Sequence, residues 1–386
     1  MKILLIHRQS SAVGYYRCWV RGRVLKRLGY DVTYWENSVY AKDLKPRNFK
    51  RLPPKAWVEG WLKENVGKFD LMIMDRGIDH DEVGKFAGFR HFSPGMRMIV
   101  DFDDDFTDVP GWNPSRTNYL PGQTAYEAGL NHLRLAEMVT VSTEPLRERF
   151  RKRAHTIRCV PNLIDPVDWA GLPVDPTRGE DPHLRVLYGG AMGHYGDLDV
   201  AKEGLESMIR RQPVPWRLVC FGAAPAWLHQ VSKDMPGKVI VLPWAQFSDY
   251  PSAVAWGGFD AGIAPLAEHP FNEAKSIIKW SELAIQGIPL LCSDVGPYAE
   301  IPSGAALKVR NTPAGWAQGL NEMLLDKALR RQFARTAKEA VLDGHTVDSG
   351  GQILHDVIEE AMSLPRIETM EQTYLPDDPA LEPTGT

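Results

Sequence analysis

At 386 residues, 44% apolar and 24% charged, the chain has the length of two or three domains of roughly 150 residues and the composition of a globular protein, not a low-complexity one. No run approaches the roughly 18 apolar residues that cross a bilayer, and Met1–Ile6 is too short for a signal-peptide core, so no membrane-spanning helix is expected; four scattered cysteines favour reduced thiols in the cytoplasm. The net charge of −4 conceals 27 Lys+Arg against 20 Asp+Glu through Asp165 and 18 against 29 beyond it, so the first half suits an anionic partner unless its charge is solvated surface.

Taken in chain order, strands are expected at Lys2–Ile6, Asp31–Trp35, Asp70–Met74, Arg97–Phe102, Met138–Ser142 and Thr156–Val160. Helices are expected at Arg17–Leu28, Lys55–Asn65, Asp81–Phe89, Ala125–Ala136 and Glu144–Arg153, the last with Thr143 as N-cap. Apolar strands alternating with helices describe a parallel sheet covered on both faces. Residues 166–183, rich in Pro, Asp and Gly, read as a linker. The alternation then restarts with strands at Arg185–Tyr188, Trp216–Phe221, Lys238–Leu242, Ala261–Ala264 and Pro289–Cys292. Its helices are Asp199–Arg211, Ser252–Trp256, Ala274–Gln286, Pro313–Leu325 and Lys327–Leu342. The expected plan is α/β: two tandem Rossmann-like, doubly wound domains, 1–165 and 184–348, facing across a cleft. A helix at 349–364 would pack back on the first, and a Pro-rich acidic tail, 365–386, carries little to fold around. Cys18, Cys159, Cys220 and Cys292 form no C-x-x-C pair, which favours reduced thiols over zinc or disulfides.

Ligands of such sheets bind beyond the strand C-termini. The segment from Phe271 to Pro289 follows one strand and precedes another, so its helix opens at that end, where free N–H groups and the helix dipole attract anions. Lys275 and Ser276 would lie in its first turn and Lys279 one turn on, able to hold a diphosphate, with Glu282 placed to accept from ribose hydroxyls. The plain alternative is a solvated lysine ladder. In the first half, Asp101, Asp103, Asp104 and Asp105 end a strand and would face the cleft. They suit acceptor-hydroxyl binding, a base-like role, a hard divalent cation, or helix capping and solvation. The loop with Gly14 and Arg17 follows the first strand; Gly14 permits close backbone approach and Arg17 could reach an anion, or the loop is a plain turn. Lys45, Arg47, Lys50 and Arg51 lie in a basic, Pro-punctuated run that suits a polyanion or is ordinary solvated loop.

The segment ending Glu282-Leu283-Ala284-Ile285-Gln286-Gly287-Ile288-Pro289 resembles the nucleotide-sugar signature of glycosyltransferase family 4, in the GT-B fold class. There a Glu, seven residues and a second Glu precede an A-x-x-G-x-P turn. Val141–Glu144 and Val160–Asp165 are similar to the end of that family's acceptor domain, Gly189-Gly190 to its glycine turn, and Asn272–Glu282 to a phage and bacterial branch. Ala274 stands where the first signature Glu belongs, and Ala191 and Gly196 stand near the usual phosphate-gripping Arg and Lys. The resemblance implies a donor set of Gly14, Arg17, Gly189, Gly190, His194, Asn272, Lys275, Ser276, Lys279 and Glu282, with Lys275, Lys279 and His194 replacing the missing clamp. It implies sugar transfer from a nucleoside-diphosphate sugar, as co-substrate, to a hydroxyl, with retention and without metal or other cofactor. Other readings are a nucleotide-sugar epimerase, a decayed nucleotide-sugar-binding protein, and a phage-encoded transferase acting in the host cytoplasm on hydroxymethylated DNA. In that last case Lys45, Arg47, Lys50 and Arg51 would join Asp101 and Asp103 in holding the acceptor.

Overall fold

The computed structural model describes residues 1–7, 11–36, 66–76, 93 and 95–367. The helices expected at Lys55–Asn65 and Asp81–Phe89, the basic run at Lys45–Arg51 and the tail beyond residue 367 lie outside the described residues. The chain divides into two compact units. Unit 1 holds residues 1–108, 117–162 and the stretch from Gly351 on, and unit 2 holds 109–116 and 163–350.

Unit 1 is built on six parallel strands, β1 (Lys2–His7), β2 (Asp31–Glu36), β3 (Leu71–Asp75), β4 (Arg97–Phe102), β5 (Met138–Val141) and β6 (Ile157–Cys159). Their spatial order is β2-β1-β3-β4-β5-β6. Ile3, Leu4, Met72, Met98, Val100 and Val139 are fully or almost fully buried, as strands covered on both faces require. Phe102, Phe106 and Phe150 pack with ring centroids 5.4–5.7 Å apart, and Gly129 makes room for Phe106. The helix Gln352–Ser363 buries Leu354, Val357, Ile358 and Ala361 on one stripe. It is tied to this unit by Tyr30 Oη with His355 Nδ1 (2.6 Å) and by Arg158 Nε donating to Glu360 (2.7 Å).

A charged knot fastens the first helix to this sheet. After the Ser11 cap, the chain runs helically through Ala12–Gly14, a π-helical segment Tyr15–Val20, and Arg21–Arg27. Arg17 grips the Asp101 carboxylate with Nε and Nη2 (2.8 and 2.7 Å), while its Nη1 donates to the Val160 carbonyl (2.6 Å) and Asn162 Oδ1 (2.9 Å). Arg21 Nη1 (2.7 Å) and Thr140 Oγ1 (2.5 Å) also donate to Asp101. Burial alone would raise the Asp101 carboxyl, but Arg17 and Arg21 hold it well below the usual carboxylate range.

Unit 2 repeats the plan with β7 (Leu184–Gly190), β8 (Trp216–Gly222), β9 (Val239–Leu242), β10 (Ala261–Ala264), β11 (Leu290–Ser293) and β12 (Leu307–Val309). All are parallel, in the order β9-β8-β7-β10-β11-β12, so the strand order reverses between β7 and β10. Trp216, Trp316, Leu205, Leu218 and Leu320 are fully buried in its core. The A-x-x-G-x-P turn proves to be a helix stop. Gly287 takes φ +75°, its N–H bonds to Ala284 O (2.9 Å), and Ile288 N–H bonds to Leu283 O (2.9 Å), which is a Schellman cap with Pro289 just beyond.

Some details differ from the expected elements. Strand β12 is three half-buried edge residues, too short for a period to register. The helix Ala226–Asp234 was not foreseen. Residues 166–183 are no free spacer: Asp165 Oδ1 caps the turn Pro166–Trp169, Trp169 is wholly buried near Phe247 and Tyr250, and Ile164 bridges to Thr346. The Pro and Gly content concealed one large apolar anchor.

Removing one partner of a buried ion network leaves the others uncompensated. Asp101→Asn should therefore lower unfolding free energy by about 3–5 kcal/mol in urea titration. A loss below about 1 kcal/mol would show that the knot is not what fastens the helix.

Candidate active site

The reversal between β7 and β10 splays the loops that leave their C-terminal ends, and this is where open α/β sheets admit a ligand. A single buried carboxylate bridges the two loops. Asp197, in the short helix Tyr195–Asp199 after β7, is 1% exposed. Its Oδ1 accepts from Ala267 N–H (3.1 Å) and Asn272 Nδ2 (2.6 Å) in the loop after β10, and its Oδ2 lies 2.8 Å from His194 Nδ1. Asn272 Nδ2 also donates to Ala267 O (3.0 Å).

The tie to Asn272 bears on the neighbouring backbone. A single helix Ala274–Gln286 was expected, but the chain forms one turn at Pro270–Glu273, breaks, and restarts at Ile278–Ile285. Lys275 and Ser276 therefore lie in the joint before the helix, not in its first turn. Lys275 N–H bonds to Asn272 O (3.2 Å), and its ammonium sits 4.5 Å above the Phe271 ring. Lys279 is the second helical residue, and Ile277 at the N-cap provides no side-chain cap, so the helix opens with backbone N–H groups beside two lysines. Glu282, 6% exposed, follows Lys279 by three residues on the same helix.

The charges are mutually constraining. Burial would raise Asp197, yet its hydrogen bond with His194 leads the effects that keep it below the usual range. Asp197 is thus an acceptor, so Nδ1 of His194 carries the proton and Nε2 keeps its lone pair. The Lys279 charge, followed by burial, pushes His194 down to about 4. His194 is therefore neutral at pH 7 and is a hydrogen-bond acceptor, not the third cation expected in a phosphate clamp. Burial also brings Lys279 down to about 8, against the pull of Asp197 and Glu282.

Gly189 and Gly190 end β7 under two tyrosines. A Cβ on Gly189 would lie 2.6 Å from Tyr250 Oη, and one on Gly190 would lie 2.6 Å from Tyr188 Oη. Tyr188 Oη is buried and has no protein hydrogen-bond partner. Trp112 explains the glycine where a cation was expected: a Cβ on Gly196 would meet its indole at 2.4 Å, and Asn113 approaches Gly193 in the same way. Trp112 also packs edge-on to His269, with centroids 5.4 Å apart. Sequence reading missed Asp197, Tyr188, Tyr250, Trp112 and Asn113. The one available signal was a Gly-x-x-Gly spacing, Gly193 to Gly196, directly after a glycine turn.

The remaining candidates lie in unit 1, and three of them need correction. Asp101 and Arg17 do not face open space; their polar atoms are committed to the buried knot, which suits neither acceptor nor anion binding. Gly14 is not a loop glycine but part of the first helical turn, its N–H bonded to Ser11 Oγ (3.3 Å). Asp105 is buried against Arg149 (2.9 Å) and Thr107. Asp103 and Asp104 are half-buried, with Asn162 Nδ2 donating to Asp103 (3.0 Å). Burial, opposed by Arg17, raises Asp103. Lys45, Arg47, Lys50 and Arg51 lie outside the described residues. Among the described residues no three His, Cys, Asp or Glu side chains are grouped to hold a metal, and no helix is long and apolar enough to cross a membrane.

No protein-family model matches the chain, and no curated protein matches it in sequence. Solved structures match it in fold. The sucrose-phosphate synthase of Thermosynechococcus elongatus is 14% identical over 93% of this chain and 98% of its own, with a TM-score of 0.64. A glycosyltransferase from Rickettsia africae is 13% identical over 94% and 98%, with a TM-score of 0.65. Anabaena HepE, solved with UDP and glucose, is 14% identical over 93% and 100%, with a TM-score of 0.63. Likeness at this identity establishes the fold, which is GT-B.

If the Lys279 charge is what depresses His194, then Lys279→Met should raise the His194 pKa from about 4 by at least one unit in a histidine NMR titration. An unchanged titration would remove Lys279 from the account.

Proposed function

We propose that the chain is a glycosyltransferase that takes a sugar from a nucleoside-diphosphate sugar held on unit 2. The observation that carries this reading is where Lys275, Lys279 and the opening of the helix Ile278–Ile285 gather: beyond β7 and β10, at the reversal of strand order. The diphosphate would lie against both ammonium groups and the helix N–H groups. Glu282 would accept from ribose hydroxyls. His194, with a lone pair on Nε2, would accept from a sugar hydroxyl.

In the reaction, the bond from the anomeric carbon to the β-phosphate oxygen breaks, the acceptor oxygen takes its place, and the acceptor's proton passes to the departing β-phosphate oxygen. Negative charge grows on the departing diphosphate, where Lys275 and Lys279 meet it without reorganisation. Retention follows from the family 4 resemblance. On unit 1, Asp103 and Asp104 are the half-buried carboxylates suited to an acceptor hydroxyl. The acceptor is a hydroxyl compound, with hydroxymethylated DNA as one member of the panel to be tried.

A panel of nucleotide sugars, read by calorimetry and then by mass spectrometry of acceptor mixtures, tests the reading. One donor should bind and be transferred; a donor consumed with no acceptor present would favour an epimerase, and no binding would overturn the proposal. Glu282→Ala should weaken donor binding by about 1.5–3 kcal/mol without lowering Tm. Lys275→Ala and Lys279→Ala should lower kcat more than they raise donor KM. Because Lys279 loses its proton near 8, donor affinity should fall as pH rises through that value and should stay flat in Lys279→Arg.

A further inference from the structure

The helix Lys327–Gly344 of unit 2 carries its charges against its own dipole. Lys327 is its first residue, Arg331 and Arg335 follow at one-turn intervals, and Lys338 comes next. No basic residue lies in the last turn, where Asp343 stands instead. Cations thus gather at the positive end of the helix. Lys327 with Arg331, and Arg331 with Arg335, also set like charges one turn apart, which costs helix stability. By contrast Arg210, Arg211 and Lys233 occupy the last turns of their helices, the end that favours cations. Helix stability therefore does not account for the charges on 327–344. At 3.6 residues per turn the four cations fall within a sector of about 80°, turned away from the buried Phe333, Ala337 and Val341. All four are exposed, and among the described residues none of them forms an ion pair.

Apolar side chains border this stripe. Leu342, one turn beyond Lys338 and in the same sector, is about half exposed. Lys338 and Val174 line one depression at the strand N-termini, ahead of β10 and β11. Next to Val174, the Asp175 N–H bonds to the Trp256 carbonyl (3.3 Å), and Val174 and Trp256 are also about half exposed. An indole and two aliphatic side chains beside four uncompensated cations match a partner that is anionic at its face and apolar just beneath. A phospholipid bilayer has that layering: Lys and Arg meet its anionic headgroups, and Trp settles at the interface. A nucleic acid would engage the cations, but its phosphates offer nothing to Val174 and Leu342. We propose that this face of unit 2 docks on an anionic phospholipid bilayer, lying on the surface without crossing it. The inference draws on nothing in the proposed transferase reaction, whose lysine cluster lies at the other strand ends of unit 2.

Sedimentation of the full chain with vesicles tests it, using phosphatidylcholine alone and phosphatidylcholine with about 30% phosphatidylglycerol. The protein should bind the anionic vesicles and not the neutral ones, and binding should weaken as salt rises from about 0.05 to about 0.5 M. The triple variant Arg331→Gln, Arg335→Gln, Lys338→Gln should lower the partition coefficient about a hundred-fold, at roughly five-fold per cation. The control Arg210→Gln, Arg211→Gln, Lys233→Gln removes the same charge from unit 2 and should stay within about two-fold of the unaltered chain. Trp256→Ser with Leu342→Ser should weaken binding to anionic vesicles at least about five-fold. All the altered positions are exposed, so Tm should hold in each variant. No binding to either vesicle, equal binding to both, equal loss in the control, or undiminished binding by the stripe or the apolar variant would each overturn the proposal. A duplex oligonucleotide bound through the same three cations, with no vesicle binding, would overturn it in favour of nucleic acid.

Discussion

Asp197 is the constraint on which the arrangement beyond β7 and β10 depends. A reversed strand order separates two loops, and separation alone would leave their side chains unpositioned. One carboxylate accepting from a histidine, a backbone N–H and an asparagine draws the loops together and sets the direction of each. It does so in the company of two lysines that repel each other, and the result is a tuned compromise. Lys279 is brought down to about 8. Burial outweighs the attraction of Asp197 and Glu282, so the cluster gains from an anion more than solvated lysines would. A diphosphate carries the matching charge.

Unit 1 shows the same device with the opposite outcome. Asp101 also sits at the end of a central strand, is also buried, and also joins a helix to neighbouring strands. Its two arginines and a threonine occupy the carboxylate, and Arg17 spends its last donors on Val160 and Asn162. Asp197 instead fixes a ring whose second nitrogen retains its lone pair. Buried charge marks both places: in one the carboxylate joins guanidinium groups, and in the other it orients an imidazole.

The amino-acid sequence made the two sheets legible because their strands are apolar on both faces and are punctuated by Gly and Pro. The helix stop at Gly287 was legible for the same local reason. Lys275, Lys279 and Glu282 were singled out because they precede that stop within one segment. The break between Glu273 and Ile278 was not, since it is tied to a hydrogen bond from Asn272 to a residue 75 positions away. Asp101 was misread because a strand-end carboxylate looks the same whether it faces solvent or two arginines, and Arg17 and Arg21 precede it by 84 and 80 positions. Asp197 sits in Tyr195-Gly196-Asp197-Leu198-Asp199, where nothing local separates it from Asp199, which is on the same turn. Trp112 belongs to a stretch that reads as loop, and only its fit against Gly196 reveals its use.

That fit has a consequence for taking the protein apart. The chain passes between its units four times, after Asp108, Arg116, Asn162 and Gly350. Unit 2 is therefore not one length of polypeptide. A fragment cut from Leu163 to Gly350 would keep all six strands of its sheet and lose Trp112 and Asn113. Gly193 and Gly196 would then be bare, a flexible turn where the whole protein has a supported one. Dissection by chain order would leave the loop after β7 unsupported, and on the proposed function weak nucleotide binding by such a fragment would reflect the missing indole, not the wrong half. Recovery of binding when the segment 109–116 is supplied, by permuting the chain or as a separate peptide, would measure how much of the loop's order that borrowed stretch provides.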